Sequence, residues 1–195
     1  METFIAAKGL VSNPNFHKQR KKAVNGLRQA RIDQPIVDLI KSFANLPYCF
    51  TLQSCFGHFL LDDQTDPHNT ESLPKLDQAI DVQYRIAYIA VCVQDNQPGR
   101  LLLDDLRELC LLDPHNIQYG CAQWFWERQV NSYVVQVEPE RHKTKDRCMI
   151  SYPEALYLEE VRNRFFEKLN LLLESGNAMG SNKVGVPLGI TSPPK

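Results

Sequence analysis

Ser54, Cys55 and His58 put a hydroxyl, a thiol and an imidazole on one short stretch of chain, Pro47 to Leu60. A thiol or hydroxyl beside an imidazole is the raw material of a nucleophile and base pair, which also needs a third group to orient the base. Such groups must meet in space, and nearness in sequence does not ensure that. The plainer reading of Cys55 is a buried structural thiol, and of His58 a surface or capping histidine. Gly57 lets the backbone turn sharply or pass close to a ligand. The apolar run Tyr48–Leu52 reads as a strand and Gln53–His58 as the polar loop that follows it, a placement that holds functional groups on a rigid support.

Other groups offer binding chemistry. Lys18, Arg20, Lys21, Lys22, Arg28 and Arg31 make one side of a first helix basic. They are either a solvated face or a patch that contacts phosphates. Trp124 and Trp126 fall on one face of an expected strand, as packing residues or as a surface on which a base or adenine ring stacks. The acidic stretch 62–78 lacks the spacing of a calcium loop and reads as a solvated, mobile loop or insertion. Neither phosphate-binding glycine pattern, the Gly-x-Ser-x-Gly elbow nor His-Glu-x-x-His occurs. The Cys and His spacings fit no zinc pattern, so no metal is expected.

The elements that would carry these groups follow from periodicity. Residues 1–15 read as a loose lead-in and 16–31 as a helix. Asp33 can cap the next helix, with Pro35 in its first turn. Ile36, Leu39, Ile40, Phe43 and Ala44 recur at helical spacing and end at Pro47. Tyr84–Val93 is apolar on both faces apart from Arg85 and reads as one central strand. Leu102, Leu103, Leu106, Leu109 and Cys110 mark a helix on that sheet. Strands over 117–126 and 130–138 form a hairpin. A short strand covers Cys148–Ile150. Ser151-x-x-Glu154 is a capping-box pattern, and the longest helix runs from Glu154 to Glu174, burying Leu158, Val161, Phe165, Leu169 and Leu172. A flexible tail is expected over 176–195. The sum is one α/β (α+β) domain over 16–174, a mixed sheet with flanking helices and a long C-terminal helix.

Composition narrows the setting. Apolar residues make up 43% and charged residues 23%, as in a soluble globular protein. The formal net charge of −1 argues against bulk electrostatic capture of nucleic acid and leaves room for a local basic patch. No apolar run has the length of a bilayer span, and the start lacks a signal-peptide pattern. The six cysteines contain no Cys-x-x-Cys pair and read as reduced thiols of a cytoplasmic protein.

Asp33-x-Pro-Ile-Val-Asp-Leu-Ile-Lys-Ser-Phe-Ala-Asn, followed by Tyr48-x-Phe50-Thr51-x-x-Ser54-Cys55-x-Gly57, resembles the tRNA wybutosine-synthesizing protein 3 family. That family has an amphipathic helix, an aromatic-rich strand and a loop reading Thr-Thr-Ser-Ser-Cys-Ser-Gly-Arg. Its Ser-Cys-x-Gly core stands here at Ser54, Cys55 and Gly57. The layout of the second half is similar, so the resemblance spans about 16–174. It implies methyl transfer from S-adenosylmethionine to a ring nitrogen of a modified guanosine in tRNA. Ser54 and Cys55 would then line the reaction pocket, with Asp95 as a polar contact and Gly57, His58 and Trp124 around the cofactor. Lys18, Arg20, Lys21 and Lys22 would meet tRNA phosphates. A domain that keeps the fold but binds a nucleotide or protein without catalysis is the second reading.

Overall fold

Residues 49–60 and 81–93 build the frame as a long antiparallel ribbon that bends in its middle. The structure, a computed structural model, describes residues 3–61, 64, 66–76, 80–143 and 146–180, with side chains to residue 174. On one side of the bend β1 (Cys49–Cys55) pairs with β4 (Ala87–Val93). On the other, β2 (His58–Leu60) pairs with β3 (Asp81–Arg85). Cys55 lies opposite Tyr88 and His58 opposite Arg85, so the stagger is unchanged across the kink at Phe56–Gly57 and Ile86. The ribbon divides between two antiparallel sheets. One has the order β1-β4-β6-β5, with β5 Ile117–Gly120 and β6 Ser132–Val137. The other has the order β2-β3-β7, with β7 Arg147–Ser151.

Two expectations change here. The segment 53–58 is strand up to Cys55 and again from His58, so the loop shrinks to two residues. The single strand expected over 84–93 is two, because Ile86 passes from one sheet to the other. The two errors have separate causes: a run apolar on both faces reads the same through a kink, and the polar letters at 53–58 suggested a loop.

The α+β fold itself is as expected. Alternation along β4 sends Ala87, Ile89, Val91 and Val93 into the main core, and Ala90 and Cys92 to the opposite face. Helices α2 (Val37–Asn45) and α3 (Gln97–Glu108) cover the main core, together with the long C-terminal helix α5 (Tyr152–Gly180), through Leu39, Phe43, Leu106, Leu158 and Phe165 among others. Helix α1 (Phe16–Gly26) packs Phe16 on Phe50 and Cys92 on the opposite face. Helix α4 (Gln123–Arg128) covers Ala90 and Val134 there. Where a strand to residue 126 is expected, the chain forms this short helix after β5. Gln123 donates to Glu127 one turn on at 3.1 Å.

From Thr3 onward the lead-in is docked rather than loose. Ile5 bridges to Cys121, and the Asn131 side chain, on a residue with φ of 62°, holds both the N–H and the carbonyl of Val11. The stretch 66–76 is irregular but tied to α5, where Glu159 accepts from the Leu73 N–H at 3.1 Å and Tyr152 from the Leu76 N–H at 3.0 Å. Helix α5 continues to Gly180, past the expected start of a tail at 176, and residues 181–195 lie outside the described ones. No helix among the described residues is long and apolar enough to cross a membrane.

Gly57 has φ of +87°, and a Cβ there would stand 2.7 Å from the Ala87 Cβ. Positive φ and overpacking each carry a cost in the low kcal/mol. Gly57→Ala is therefore expected to destabilise the fold by about 2–4 kcal/mol, read as a lower midpoint in urea unfolding. A loss under about 0.5 kcal/mol, the size of an ordinary surface change, contradicts the strained-bend assignment.

Candidate functional site

Around the bend, the residues expected to carry chemistry turn inward. Cys55 is buried, and its sulfur accepts the Gly57 N–H at 3.4 Å. The Gly57 carbonyl takes a hydrogen bond from Arg162 Nη1 at 3.1 Å. His58 is 1% exposed, and its Nδ1 donates to the Asn69 carbonyl at 2.9 Å. Its Nε2 lies 3.3 Å from Asp33 Oδ2, too poorly aligned to count as a hydrogen bond. Burial lowers the imidazole pKa, but the Asp33 carboxylate, the Cys55 sulfur and the Asn69 carbonyl outweigh it and push it up to about 10. Burial works against the Asp33 charge too. His58 and the Phe56 N–H, which donates at 2.8 Å, hold this carboxyl below its ordinary value all the same. Asp33 was expected to cap a helix. It makes no capping bond and spends its carboxylate across the fold instead.

Open space lies on the sheet face that α1 and α4 share. One cleft of about 320 Å3 runs under the end of α1, between Leu27, Arg31 and Ile32 on one side and Leu52, Gln53 and Ser54 on the other. A second, of about 350 Å3, has Tyr88, Val134 and Gln136 as floor, Trp124 and Phe125 as wall, and Arg85 and Asp146 at its end. Gln53 lines both, and its amide oxygen accepts from the Tyr88 hydroxyl at 3.1 Å. The volumes are those of small-ligand sites.

Beneath the second cleft lies the fully buried Glu138. Its Oε2 accepts from Thr3 Oγ1 and from Gln136 Nε2, each at 2.5 Å, and its Oε1 has no partner among the described residues. Sequence reasoning missed it. It follows the apolar strand β6 directly, and a carboxylate closing such a run was the available signal. The Gln136 amide nitrogen, which lines the cleft, donates to Glu138 and, at 3.4 Å, to Thr3.

The other expected site residues scatter. Asp95 is exposed and pairs with Arg100 at 2.7 Å, in a separate cleft lined also by Lys8, Tyr119 and Tyr133. The two tryptophans do not share a face. Two residues apart on a helix point nearly opposite ways, so Trp124 faces the second cleft while Trp126 packs edge-on against Tyr133. Lys18, Lys21 and Lys22 are exposed on α1. Arg20 is not available to phosphates, because Nε donates to the Leu46 and Cys49 carbonyls at 3.0 and 3.1 Å and Nη2 to the Ala44 carbonyl at 2.5 Å. It satisfies the open carbonyls at the C-terminus of α2. Gly57 and His58 lie buried at the bend, and Cys49, Cys55, Cys92, Cys110 and Cys121 are free thiols.

The sequence matches no protein-family model and no curated protein. Among solved structures the chain is similar to the PH1069 protein from Pyrococcus horikoshii, at 18% identity and a TM-score of 0.48 over 85% of this chain and 95% of that one. A second structure, of the PH1069 protein from Pyrococcus horikoshii OT3, gives 18% identity and a TM-score of 0.47 over 86% and 96%.

Burial raises the Glu138 carboxyl to about 7, although Thr3 and Gln136 donate to it. The folded protein thus keeps this proton at pH values where an unfolded chain, with an ordinary value of 4.5, has released it. Its contribution to stability is complete below 4.5 and is lost as the pH rises through about 7. Glu138→Gln removes that dependence. Compared by urea unfolding from about pH 5 to about pH 8, the variant should gain on the parent as the pH rises. A constant difference across that range contradicts the raised carboxyl.

Proposed function

We propose that this protein is an S-adenosylmethionine-dependent methyltransferase acting on a modified guanosine of tRNA or a related base. The observation that carries the reading is the pair of clefts meeting at Gln53, one walled by Trp124 and the other by Ser54, with exposed lysines on the helix alongside. A two-substrate transfer needs two adjoining sites, and holding donor and acceptor edge to edge is the main source of rate in such a reaction.

The Trp124 cleft fits the cofactor's chemistry. Trp124 offers a half-buried ring for the adenine, Arg85 a cation for the carboxylate of the amino-acid tail, and Asp146 an acceptor for hydroxyls. Bound S-adenosylmethionine supplies an electrophilic methyl group. The chain's part is to orient and to exclude water. Gln53 stands between the two sites, Ser54 presents a hydroxyl to the acceptor side, and Arg31 stands at that cleft to meet a phosphate. Lys18, Lys21 and Lys22 extend this charge along α1 toward tRNA. Cys55 serves as a wall, since its thiol is turned into the protein. A cytoplasmic setting with reduced thiols belongs to the same reading.

The position of Asp95 favours the alternative, a nucleotide- or protein-binding domain without catalysis. The residue expected as a polar contact in the reaction pocket lies in another cleft.

Calorimetric titration of the full chain with S-adenosylmethionine is expected to show binding that Trp124→Ala weakens at least about fivefold, since base–aromatic stacking contributes about 1–3 kcal/mol. Absence of heat at about millimolar cofactor sinks the proposal, as that concentration corresponds to only about 4 kcal/mol of affinity. Cofactor binding without methyl incorporation into wybutosine-precursor tRNA supports the alternative.

A further inference from the structure

Asp33, His58 and His68 converge from three separate stretches of chain. Asp33 precedes α2, His58 opens β2, and His68 sits on the turn that follows β2. Their ligand atoms all lie within 4.8 Å of one another. We propose that these three side chains form a binding site for a divalent transition ion of the zinc class, independent of the methyl-transfer reading.

The His58 ring is the strongest part of the argument. A carbonyl oxygen only accepts, so Nδ1 must be the donor to Asn69, and Nε2 is the atom an ion would take, in place of the proton that the nearby Asp33 carboxylate favours there. That atom is buried, has no aligned partner and lies toward Asp33. Metal-binding histidines show this arrangement, in which one ring nitrogen donates to a backbone carbonyl and so turns the other toward the ion. Asp33 is oriented in the same way, by the Phe56 N–H at 2.8 Å.

The turn after β2 carries both the orienting carbonyl, on Asn69, and the third ligand, His68. It is a built turn. The Asp66 carboxylate accepts from the His68 N–H at 2.9 Å, and the Asp66 carbonyl accepts from the Asn69 N–H at 3.1 Å. The His68 ring stands edge-on to His58, with centroids 5.8 Å apart.

The spacing suits a small ion. Ligands at about 2 Å from a tetrahedral zinc stand about 3.3 Å apart. Asp33 and His58 already have that separation. His68 is half-exposed and closes the remaining gap by side-chain rotation. Two imidazoles with one carboxylate select zinc or a neighbouring transition ion over magnesium or calcium, which prefer oxygen ligands throughout. Three protein ligands leave a fourth position for water or a solute. The outer two ligands, Asp33 and His68, are only half-buried, so that position has access to solvent.

Cobalt(II) is the probe. Full-length protein stripped with a chelator is titrated with it and followed by visible absorption, then back-titrated with zinc. One equivalent should bind, and zinc should displace it. His68→Ala and Asp33→Asn should each weaken binding at least about tenfold. His115→Ala, on an exposed turn far along the chain, should leave it unchanged. His68 lies on a surface turn, so its variant should retain the parent's circular dichroism. If that variant fails to fold, Asp33→Asn decides. The proposal is overturned if the parent binds no stoichiometric cobalt. It is overturned equally if the folded ligand variants bind as the parent does, or if His115→Ala alone abolishes the signal.

Discussion

The rest of the molecule depends on a guanidinium inside the core. Arg162, from the middle of α5, is 2% exposed. Its Nη1 donates to the Gly57 carbonyl and its Nη2 to Glu159 at 3.3 Å, while Nε and Nη2 both reach Asn163. Phe56 and Phe59 cover its faces at 4.1 and 5.1 Å. Burial lowers the Arg162 pKa against the pull of Glu159. Such a charge is tolerated only when fully partnered, since removing one partner of a buried pair costs about 3–5 kcal/mol. Its partners are Glu159 and Asn163 on α5 and the Gly57 carbonyl at the bend, so the charge that needs Gly57 also holds Gly57 in place.

The geometry of both sheets follows from that tie. With the bend fixed and Ala87 packed beneath Gly57, the ribbon cannot straighten, and β2 and β3 are handed to the second sheet together with β7. The main core fills on the side of α2, α3 and α5. The opposite face receives two short helices that do not span it. Gln53, Tyr88 and Gln136 are left at the floor of the space between, with Glu138 beneath. The N-terminal stretch completes this face, because Thr3 donates to Glu138 and Val11 bonds to the Asn131 side chain. The bend also brings His58 under Asp33, so the cation site and the clefts are consequences of one backbone turn.

Much of the scaffold was legible because burial leaves a periodic mark. Leu39, Phe43, Leu106, Leu158 and Phe165 recur at helical spacing and are buried as that spacing requires. Sites were less legible. Ser54 and Trp124 do line clefts, yet Cys55, Gly57 and His58 serve the interior and Asp95 lies elsewhere. Arg20 and Asp33 show why. A charged letter in a sequence reads as surface, helix cap or phosphate contact, whereas here Arg20 closes the end of α2 and Asp33 reaches the far side of the bend.

The sequence by itself determined the α+β class, the long closing helix and a Gly57 turn at the end of the first strand, because periodicity and glycine's freedom are local properties of the chain. Only the tertiary structure decided that the turn is a bend within a continuous ribbon and that Trp124 and Trp126 part company on a helix. It alone joined Asp33 to His58 and His68, and Gln53 to two clefts. Those outcomes rest on long-range pairing and on one buried arginine's need for partners, and neither leaves a periodic trace for the sequence to show.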